Sequence, residues 1–170
     1  KIMRIFIVGP MASGKSTLGK KLAEALNIDF LDTDREIQKR AGADISWIFE
    51  VEDEEGFRER EVKALRESIK KKNVVISTGG GIISIKENRD LMTSKGLVVY
   101  LKTPIKLQLK RTENDKRRPL LASGNREQIF MDLKKERDPL YEEIADITIN
   151  QDGQKNRNEI IEEIIGRLSE

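Results

Sequence analysis

The segment at residues 9–17, which reads GPMASGKST, constrains the fold more than any other part of the chain. Residues 9–16 fit the pattern G-x-x-x-x-G-K-S and lie between an apolar run, RIFIV, and a segment with a leucine at every fourth position. A strand–loop–helix unit of this kind turns backbone N–H groups and the amino end of its helix toward a phosphate. The segment therefore predicts a nucleoside triphosphate site, in which Lys15 reaches the outer phosphates and Ser16 is a candidate Mg²⁺ ligand.

Short apolar runs alternate with helix-like segments along the chain. Strands are predicted at residues 4–8, 28–31, 74–77, 97–101 and 146–149. Leu18, Leu22 and Leu26 recur at helical spacing, and residues 160–168 carry a second apolar stripe. Strands that alternate with helices predict an α/β fold, with a parallel sheet and helices on both faces. A chain of 170 residues suits a single domain over residues 1–170.

The composition excludes several classes of protein. The chain has 32 basic and 30 acidic residues, and this balance argues against a general nucleic-acid or membrane-surface protein. It has no cysteine and no histidine, so disulfides, zinc–thiolate sites and catalysis by either residue are excluded, and acid–base chemistry must use Asp, Glu, Lys or Tyr. No apolar run is long enough to cross a bilayer and no secretory signal is visible, which predicts a cytoplasmic location.

Two carboxylates, Asp32 and Asp34, follow the second predicted strand. Ligands bind at the carboxyl edge of an open α/β sheet, and alternation would turn both side chains the same way if the strand continued. One carboxylate would then hold Mg²⁺ through water, and the other would orient an acceptor hydroxyl. The alternative is that these residues cap a helix, since aspartate is favoured at that position.

Three consecutive glycines, Gly79, Gly80 and Gly81, follow the third predicted strand. Three glycines at the ligand edge of a sheet allow the backbone to approach a ligand closely. The alternative is a tight turn between strand and helix, which is a common place for glycine. The number of glycines favours the ligand site.

Arginines supply the remaining candidate ligands. Arg58 lies in GFRERE, Arg118 in KRRPLL and Arg137 in ERDPLY, and guanidinium groups bind carboxylates and phosphates through paired hydrogen bonds. Each one alone is more often a solvated surface charge, because the chain has 32 basic residues. Residues 33–62 and 113–125 fit the core pattern least well, and the second segment, which contains Arg118, is predicted to be a lid.

These motifs together resemble the shikimate kinase family over nearly the whole chain. The segments that carry the resemblance are GPMASGKST, DTD at 32–34, GFRERE at 56–61, TGGG at 78–81, KRRPLL at 116–121 and ERDPLYEEIAD at 136–146. The resemblance implies a fold like that of the nucleoside monophosphate kinases: a five-stranded parallel sheet, a substrate-binding segment at 33–62 and a mobile lid at 113–125. It also implies transfer of a phosphoryl group from ATP to the 3-hydroxyl of shikimate, with Mg²⁺, in aromatic amino acid biosynthesis.

The resemblance further implies a role for particular residues. Those implied at ATP are Ala12, Ser13, Gly14, Lys15, Ser16, Thr17, Arg111, Arg118 and Gln154. Those implied at shikimate are Asp34, Arg58, Gly79, Gly80, Gly81 and Arg137, with Phe49, Phe57 and Glu61 supporting the pocket. Asp34, Lys15 and Arg118 would be catalytic, and Ser16 with Asp32 would hold one Mg²⁺ per subunit. The implied partners are shikimate and ATP, without nucleic acid or membrane, and the protein would be a monomer.

Two other functions remain open at this point. One is another small-molecule kinase on the same scaffold, such as a gluconate or nucleotide kinase, and the other is an ATP-binding switch that transfers nothing. Ala12 and Ser13 stand where the family pattern has a Gly-Ala or similar pair, and we expect a minor effect. Trp47 either contacts the substrate or packs within its segment, and packing is favoured because large aromatic side chains usually bury apolar area.

Overall fold

The structure of the protein, a computed structural model, describes residues 2–115 and 125–170. The strands are β1 (Met3–Val8), β2 (Asp29–Asp32), β3 (Asn73–Ser77), β4 (Leu97–Lys102) and β5 (Ile147–Asn150). The helices are α1 (Lys15–Leu26), α2 (Thr33–Ala41), α3 (Ile45–Ser68), α4 (Lys86–Lys95), α5 (Ile105–Thr112), α6 (Arg126–Ile144) and α7 (Arg157–Leu168), with a 3₁₀ helix, η1, at Gly80–Ser84. Each predicted strand agrees with an observed strand to within one residue at either end.

The five strands form one parallel sheet in the order β2-β3-β1-β4-β5. The central strand, β1, pairs with β3 on one side and with β4 on the other. The chain leaves β1 toward β2 and β3 and later passes to β4 on the opposite side, so the strand order reverses at β1. A crevice beyond the carboxyl end of such a strand is where ligands bind in open α/β sheets. The predicted five-stranded parallel α/β fold is confirmed.

Side chains of β1 alternate between the two faces of the sheet and enter two separate hydrophobic clusters. Ile5 and Ile7 pack with buried residues of α1 and α7. Phe6 and Val8 pack on the other face with buried residues of α3, α4 and α6. The two apolar stripes predicted from the sequence are the buried sides of α1 and α7.

The segment at residues 33–62 folds as α2 and much of α3, where Ile48 and Phe57 belong to a third hydrophobic cluster. A kink divides α3 at Asp53, whose φ of 60° and ψ of −175° are non-helical and are usually adopted only by glycine. Trp47 is 56% exposed, so the expectation that it packs within the segment is wrong. The inward position on this turn of the helix is taken by its neighbour, Ile48, which is buried.

Residues 116–124 of the predicted lid, including Arg118, lie outside the described residues. The description resumes at Asn125, whose side chain caps α6 by accepting a hydrogen bond from the N–H of Gln128 at 3.3 Å. Among the helices of the described residues, none has both the length and the apolar character needed to cross a membrane.

Arg4 connects the start of β1 to the chain segments that lead into the neighbouring strands. Arg4 is only 9% exposed. Its guanidinium group donates hydrogen bonds to the carbonyls of Ile69 at 2.7 Å, Lys71 at 3.0 Å and Lys95 at 2.6 Å. These carbonyls precede β3 and β4, the two strands that flank β1. One cation therefore satisfies three backbone acceptors and fixes the amino ends of the three central strands.

Replacing Arg4 by methionine keeps an apolar stem and removes every donor. We expect the free energy of unfolding to fall by about 2–4 kcal/mol, because three carbonyls lose a charged partner. Arg40→Met is the matched control, since the side chain of Arg40 is 47% exposed and lies 4.0 Å from Glu67, and its loss should be below about 0.5 kcal/mol. Urea unfolding measures both variants, and equal losses would contradict the role given to Arg4.

Candidate active site

The loop between β1 and α1 adopts the tight backbone path that its glycines predict. Gly9 has a φ of 155° and Gly14, the N-cap of α1, has a φ of 83°, conformations that are open to glycine and unfavourable for other residues. A β-carbon added to Gly9 would lie 2.8 Å from the carbonyl oxygen of Leu101. Ala12, where the family pattern has glycine, has a φ of 64°, and a left-handed residue with a β-carbon costs about 1 kcal/mol.

Lys15 is the first residue of α1 and is buried although it is charged. Its ammonium group donates to the carbonyl of Gly9 at 2.8 Å and to that of Pro10 at 2.9 Å. These bonds hold the ammonium group against the loop. A phosphate bound by the loop would lie near this ammonium group. It would compete with the two carbonyls for the N–H donors of Lys15.

Asp32 ends β2 and makes two kinds of contact. Its Oδ1 atom accepts from the N–H groups of Asp34 at 3.0 Å and Arg35 at 3.3 Å and so caps α2, while Oδ2 accepts from the Ser16 hydroxyl at 2.5 Å. The helix-cap alternative is therefore right for Asp32. The prediction that the strand continues to Asp34 is wrong, because the Asp32 cap starts a helix at Thr33. Asp34 reaches the site from the first turn of that helix.

The turn after β3 brings backbone close to charged side chains. A β-carbon added to Gly79 would lie 2.8 Å from Oδ1 of Asp34 and 2.9 Å from Oε2 of Glu61, and one added to Gly81 would overlap the guanidinium of Arg58. A β-carbon at either position would therefore displace these charged side chains. The sequence predicts that a ligand approaches the backbone of this turn closely. In the structure, side chains of the protein itself approach Gly79 and Gly81 closely.

Arg58 and Glu61 form a buried ion pair on α3. Glu61 is fully buried, and its Oε1 atom accepts from Arg58 at 2.8 Å. The guanidinium lies 5.3 Å from the ring centre of Phe57, which is 4.7 Å from that of Phe49, so the aromatic pair supports the cation. Burial raises the pKa of Glu61 to about 7, although Arg58 opposes this shift, and the nearby Asp34 carboxylate adds a smaller increase.

Arg137 and Tyr141 lie one helical turn apart on α6 and both face the glycine turn. Arg137 is 7% exposed, and its Nη1 atom is 3.5 Å from the position of a β-carbon added to Gly80. The hydroxyl of Tyr141, a fully buried residue, lies 3.1 Å from the carbonyl oxygen of Gly9 and 2.5 Å from that of Gly80. This single hydroxyl therefore joins the phosphate loop to the glycine turn.

Two cavities share residues 12–14 of the loop as part of their walls. The first has a volume of about 390 Å³ and lies between the loop, α5 and the start of α7. The second has a volume of about 430 Å³ and is lined by all the residues predicted at the acceptor: Asp34, Arg58, Gly79, Gly80, Gly81 and Arg137. Lys15, Ser16 and Thr17 line it as well. A nucleoside in the first cavity would therefore place its phosphates on the loop, at the edge of the second cavity.

Arg111 lines the first cavity and also holds the loop, because its Nη1 atom donates to the carbonyl of Ala12 at 2.9 Å. Burial and the nearby Arg157 lower the pKa of Arg111. Gln154 does not line this cavity: its residue is exposed, and its backbone N–H donates to Asp152 at 2.8 Å. The structure thus brings Arg111 to the loop and places Gln154 outside the cavity.

Gln151 and Tyr141 are site residues that the sequence did not predict. The Gln151 amide donates to the carbonyl of Ser13 at 2.8 Å and lies 3.0 Å from the hydroxyl of Thr103. It directly follows β5, so the rule that ligands bind at the carboxyl edge of the sheet could have identified it. Tyr141 follows Arg137 by four residues, a spacing that places both on one helix face.

The fold and the site define a phosphotransferase of the P-loop kinase class. The model of the shikimate kinase family matches residues 11–169, and the chain belongs to that family. The shikimate kinase of Buchnera aphidicola subsp. Schizaphis graminum is 51% identical over 155 residues, which cover 91% of this chain and 90% of that protein. A solved structure of shikimate kinase from Acinetobacter baumannii in complex with shikimate has a TM-score of 0.95 and 47% identity, and covers 99% of this chain and 93% of that one. The resemblance drawn from the motifs is confirmed.

A solved gluconokinase from Sinorhizobium meliloti shows how far the scaffold alone extends. It has a TM-score of 0.62 and 16% identity, with coverage of 98% of this chain and 91% of that one. This likeness shows a shared fold and nothing about the acceptor. The gluconate kinase alternative therefore has support from the scaffold only.

Tyr141→Phe keeps the buried ring and removes only the hydroxyl that joins Gly9 to Gly80. We expect kcat/KM for phosphoryl transfer to fall about tenfold, because the two backbone segments lose their shared donor and reactant positions depend on their spacing. Steady-state ADP release measures this change.

Tyr100→Phe is the matched control for that variant. Tyr100 is also fully buried, and its ring stacks on Tyr141 with centres 5.0 Å apart. Within the described residues, no hydrogen bond joins its hydroxyl to either carbonyl, so kcat/KM should stay within about twofold of the wild-type value. Equal losses in both variants would contradict the bridging role of Tyr141.

Proposed function

We propose that the chain transfers the γ-phosphoryl group of ATP to the 3-hydroxyl of shikimate, giving ADP and shikimate 3-phosphate in aromatic amino acid biosynthesis. One observation carries the proposal: the residues predicted at the acceptor share a single cavity with the phosphate loop. Membership of the shikimate kinase family, and the likeness to a relative solved in complex with shikimate, support it.

The acceptor cavity has the chemistry that a small hydroxylated carboxylate needs. Arg58 and Arg137 are largely buried there, and guanidinium forks bind a carboxylate through paired hydrogen bonds. The backbone N–H of Gly80 would donate to the substrate. Gly79 and Gly81 would shape this turn, because their missing β-carbons leave room for the charged side chains beside it.

The transfer forms a bond between the 3-hydroxyl oxygen and the γ-phosphorus and breaks the bond from that phosphorus to the bridging oxygen, which leaves with ADP. Asp34 lines the same cavity as Lys15, and it would orient the hydroxyl and accept its proton. Lys15 would stabilise charge on the β- and γ-phosphates, which is most of what such a transfer requires. The chemistry therefore needs no histidine.

On the nucleotide side, residues 12–17 would bind the phosphates and Arg111 would lie beside the base. Gln151 would keep the loop in place through its bond to Ser13. The contact of Arg118 with the transferring phosphate stays a prediction, since Arg118 lies outside the described residues. The role of Gln154 near adenine also stays a prediction.

A divalent cation would share its coordination with the nucleotide. Among the described residues, no group of three or more Asp, Glu, His or Cys side chains forms a ready metal site. The oxygens of Ser16 and Asp32 lie 2.5 Å apart beside the loop, and hydroxyl and carboxylate oxygens suit Mg²⁺. Ser16 would bind the ion directly and Asp32 through water, one ion per subunit. Bound Mg²⁺ would supply neutralisation of the phosphate charge.

Other properties of the protein stay predictions from the sequence. These are the single domain over residues 1–170, the monomeric state, the cytoplasmic location and the absence of nucleic-acid or membrane partners. The balance of 32 basic and 30 acidic residues supports the last of them.

ADP release with ATP and Mg²⁺ tests the acceptor when shikimate, gluconate and a nucleoside monophosphate are supplied in turn. We expect turnover with shikimate at least about 100-fold above that with the other two, because only shikimate matches the arrangement of cations and acceptors. Asp34→Asn should lower kcat with shikimate at least about 100-fold, because the amide cannot accept the hydroxyl proton.

A fluorescent ATP analogue provides the control, since Asp34→Asn should bind it with nearly wild-type affinity. Preference for gluconate or the nucleotide would move the proposal to that acceptor. Nucleotide binding without turnover on any acceptor would favour the non-catalytic switch.

A further inference from the structure

The acceptor cavity contains a carboxyl group, that of Glu61, with one oxygen unused by the protein. The residue is fully buried and its Oε1 atom accepts from Arg58 at 2.8 Å. Its Oε2 atom has no hydrogen-bond partner among the described residues and lies 2.9 Å from the position of a β-carbon added to Gly79. A charged carboxylate oxygen that is buried without a hydrogen-bond partner is unfavourable. Protonation of Glu61 would remove that charge.

Charged groups face Glu61 from three elements. Arg58 lies on its own helix, α3, Asp34 lies on α2 and Arg137 lies on α6. The positive charges of Arg58 and Arg137 therefore already face the negative charges of Glu61 and Asp34 before any substrate enters. Lys15 also lines the cavity, but its ammonium group donates to the loop carbonyls of Gly9 and Pro10.

An acceptor that carries a carboxylate adds a third negative group to this cavity. If Arg58 and Arg137 bind the substrate carboxylate, Arg58 must divide its donors between the substrate and Glu61. A second carboxylate near a buried carboxylate disfavours its charged form, and weaker pairing with a cation acts in the same direction. Both changes therefore favour a neutral Glu61 in the complex.

We propose that Glu61 takes up a proton when the carboxylate of the acceptor binds to Arg58 and Arg137. This inference rests on the proposed function, since it requires shikimate in the second cavity. The proton comes from solvent, and the protonated oxygen becomes a donor that the anionic form does not offer. The proton keeps the buried charge close to balance and leaves Arg58 free to bind the substrate.

The uptake has a defined direction with pH. Burial already raises the pKa of Glu61 to about 7 in the absence of ligand, and the bound carboxylate raises it further. Below pH 6 the Glu61 carboxyl is already protonated in the free protein, so substrate binding takes up few additional protons. Above pH 7 it is ionised in the free protein and protonated in the complex, so shikimate affinity should fall as pH rises through this window, by up to about tenfold per pH unit.

Titration calorimetry of the wild-type protein with shikimate tests the uptake directly. Measurements in two buffers with different ionisation enthalpies, such as Hepes and Tris at pH 8, give the number of protons taken up for each molecule bound. We expect more than about 0.5 proton at pH 8 and less than about 0.2 at pH 5.5. Uptake that is absent at both pH values, with binding intact, overturns the inference and leaves the proposed function in place.

Glu61→Gln removes the titratable group and keeps its size and a carbonyl that accepts from Arg58. We expect its uptake at pH 8 to fall below about 0.2 proton. Glu59→Gln, on the exposed side of the same helix, is the matched control and should keep the wild-type uptake. Uptake that persists in Glu61→Gln would assign the proton to another group and overturn the inference.

The pH dependence of the wild-type protein decides the question if Glu61→Gln does not bind shikimate. A wild-type protein that shows no binding of shikimate at either pH contradicts the proposed function, and the inference fails with it. Binding whose proton uptake is the same at pH 5.5 and pH 8 contradicts the inference alone.

Discussion

A charge buried without a partner is strongly unfavourable, and the acceptor cavity is organised around that constraint. Glu61 has no exposure to solvent, so Arg58 pairs with it at 2.8 Å. Arg58 in turn rests on the Phe57 ring. The turn after β3 passes so close to these groups that a β-carbon at Gly79 or Gly81 would displace them. The glycines at positions 79 and 81 are therefore understandable from the charged side chains beside them.

The central strand connects this cavity to the phosphate loop. The start of β1 is fixed by Arg4, and the phosphate loop follows its carboxyl end. The carbonyl of Gly9, the first residue of that loop, contacts both the Lys15 ammonium group and the Tyr141 hydroxyl. The same hydroxyl reaches Gly80 in the acceptor cavity. The phosphate loop and the second cavity are thus joined by the same side chain, as transfer between reactants bound at the two places would require.

The parts of the site that depend on local sequence were predictable. The loop motif and the strands follow from short-range patterns and lie where those patterns place them, and Asp34 lines the cavity at the carboxyl edge of the sheet. The direction of Asp32 was not predictable from alternation, because its own side chain caps the next helix and ends the strand. Trp47 shows a similar limit, since the kinked helix α3 buries its neighbour instead.

Long-range contacts account for the residues that the sequence did not reveal. The bond from Tyr141 to Gly9 spans 132 positions and that from Gln151 to Ser13 spans 138, so no local pattern gives the bonding partner of either side chain. The raised pKa of Glu61 likewise results from burial by elements that are distant in sequence. Such properties become visible only when the sheet order and the helix packing are known.

In the proposed function, Arg58 and Arg137 bind the carboxylate of the acceptor beside the phosphate loop. The most direct test compares kcat/KM for shikimate and for its analogue with a hydroxymethyl group in place of the carboxylate, in the wild-type protein and in Arg137→Met. We expect a wild-type preference for shikimate of at least about 100-fold, reduced at least about tenfold in the variant. An equal preference in both proteins would rule out this role for Arg137.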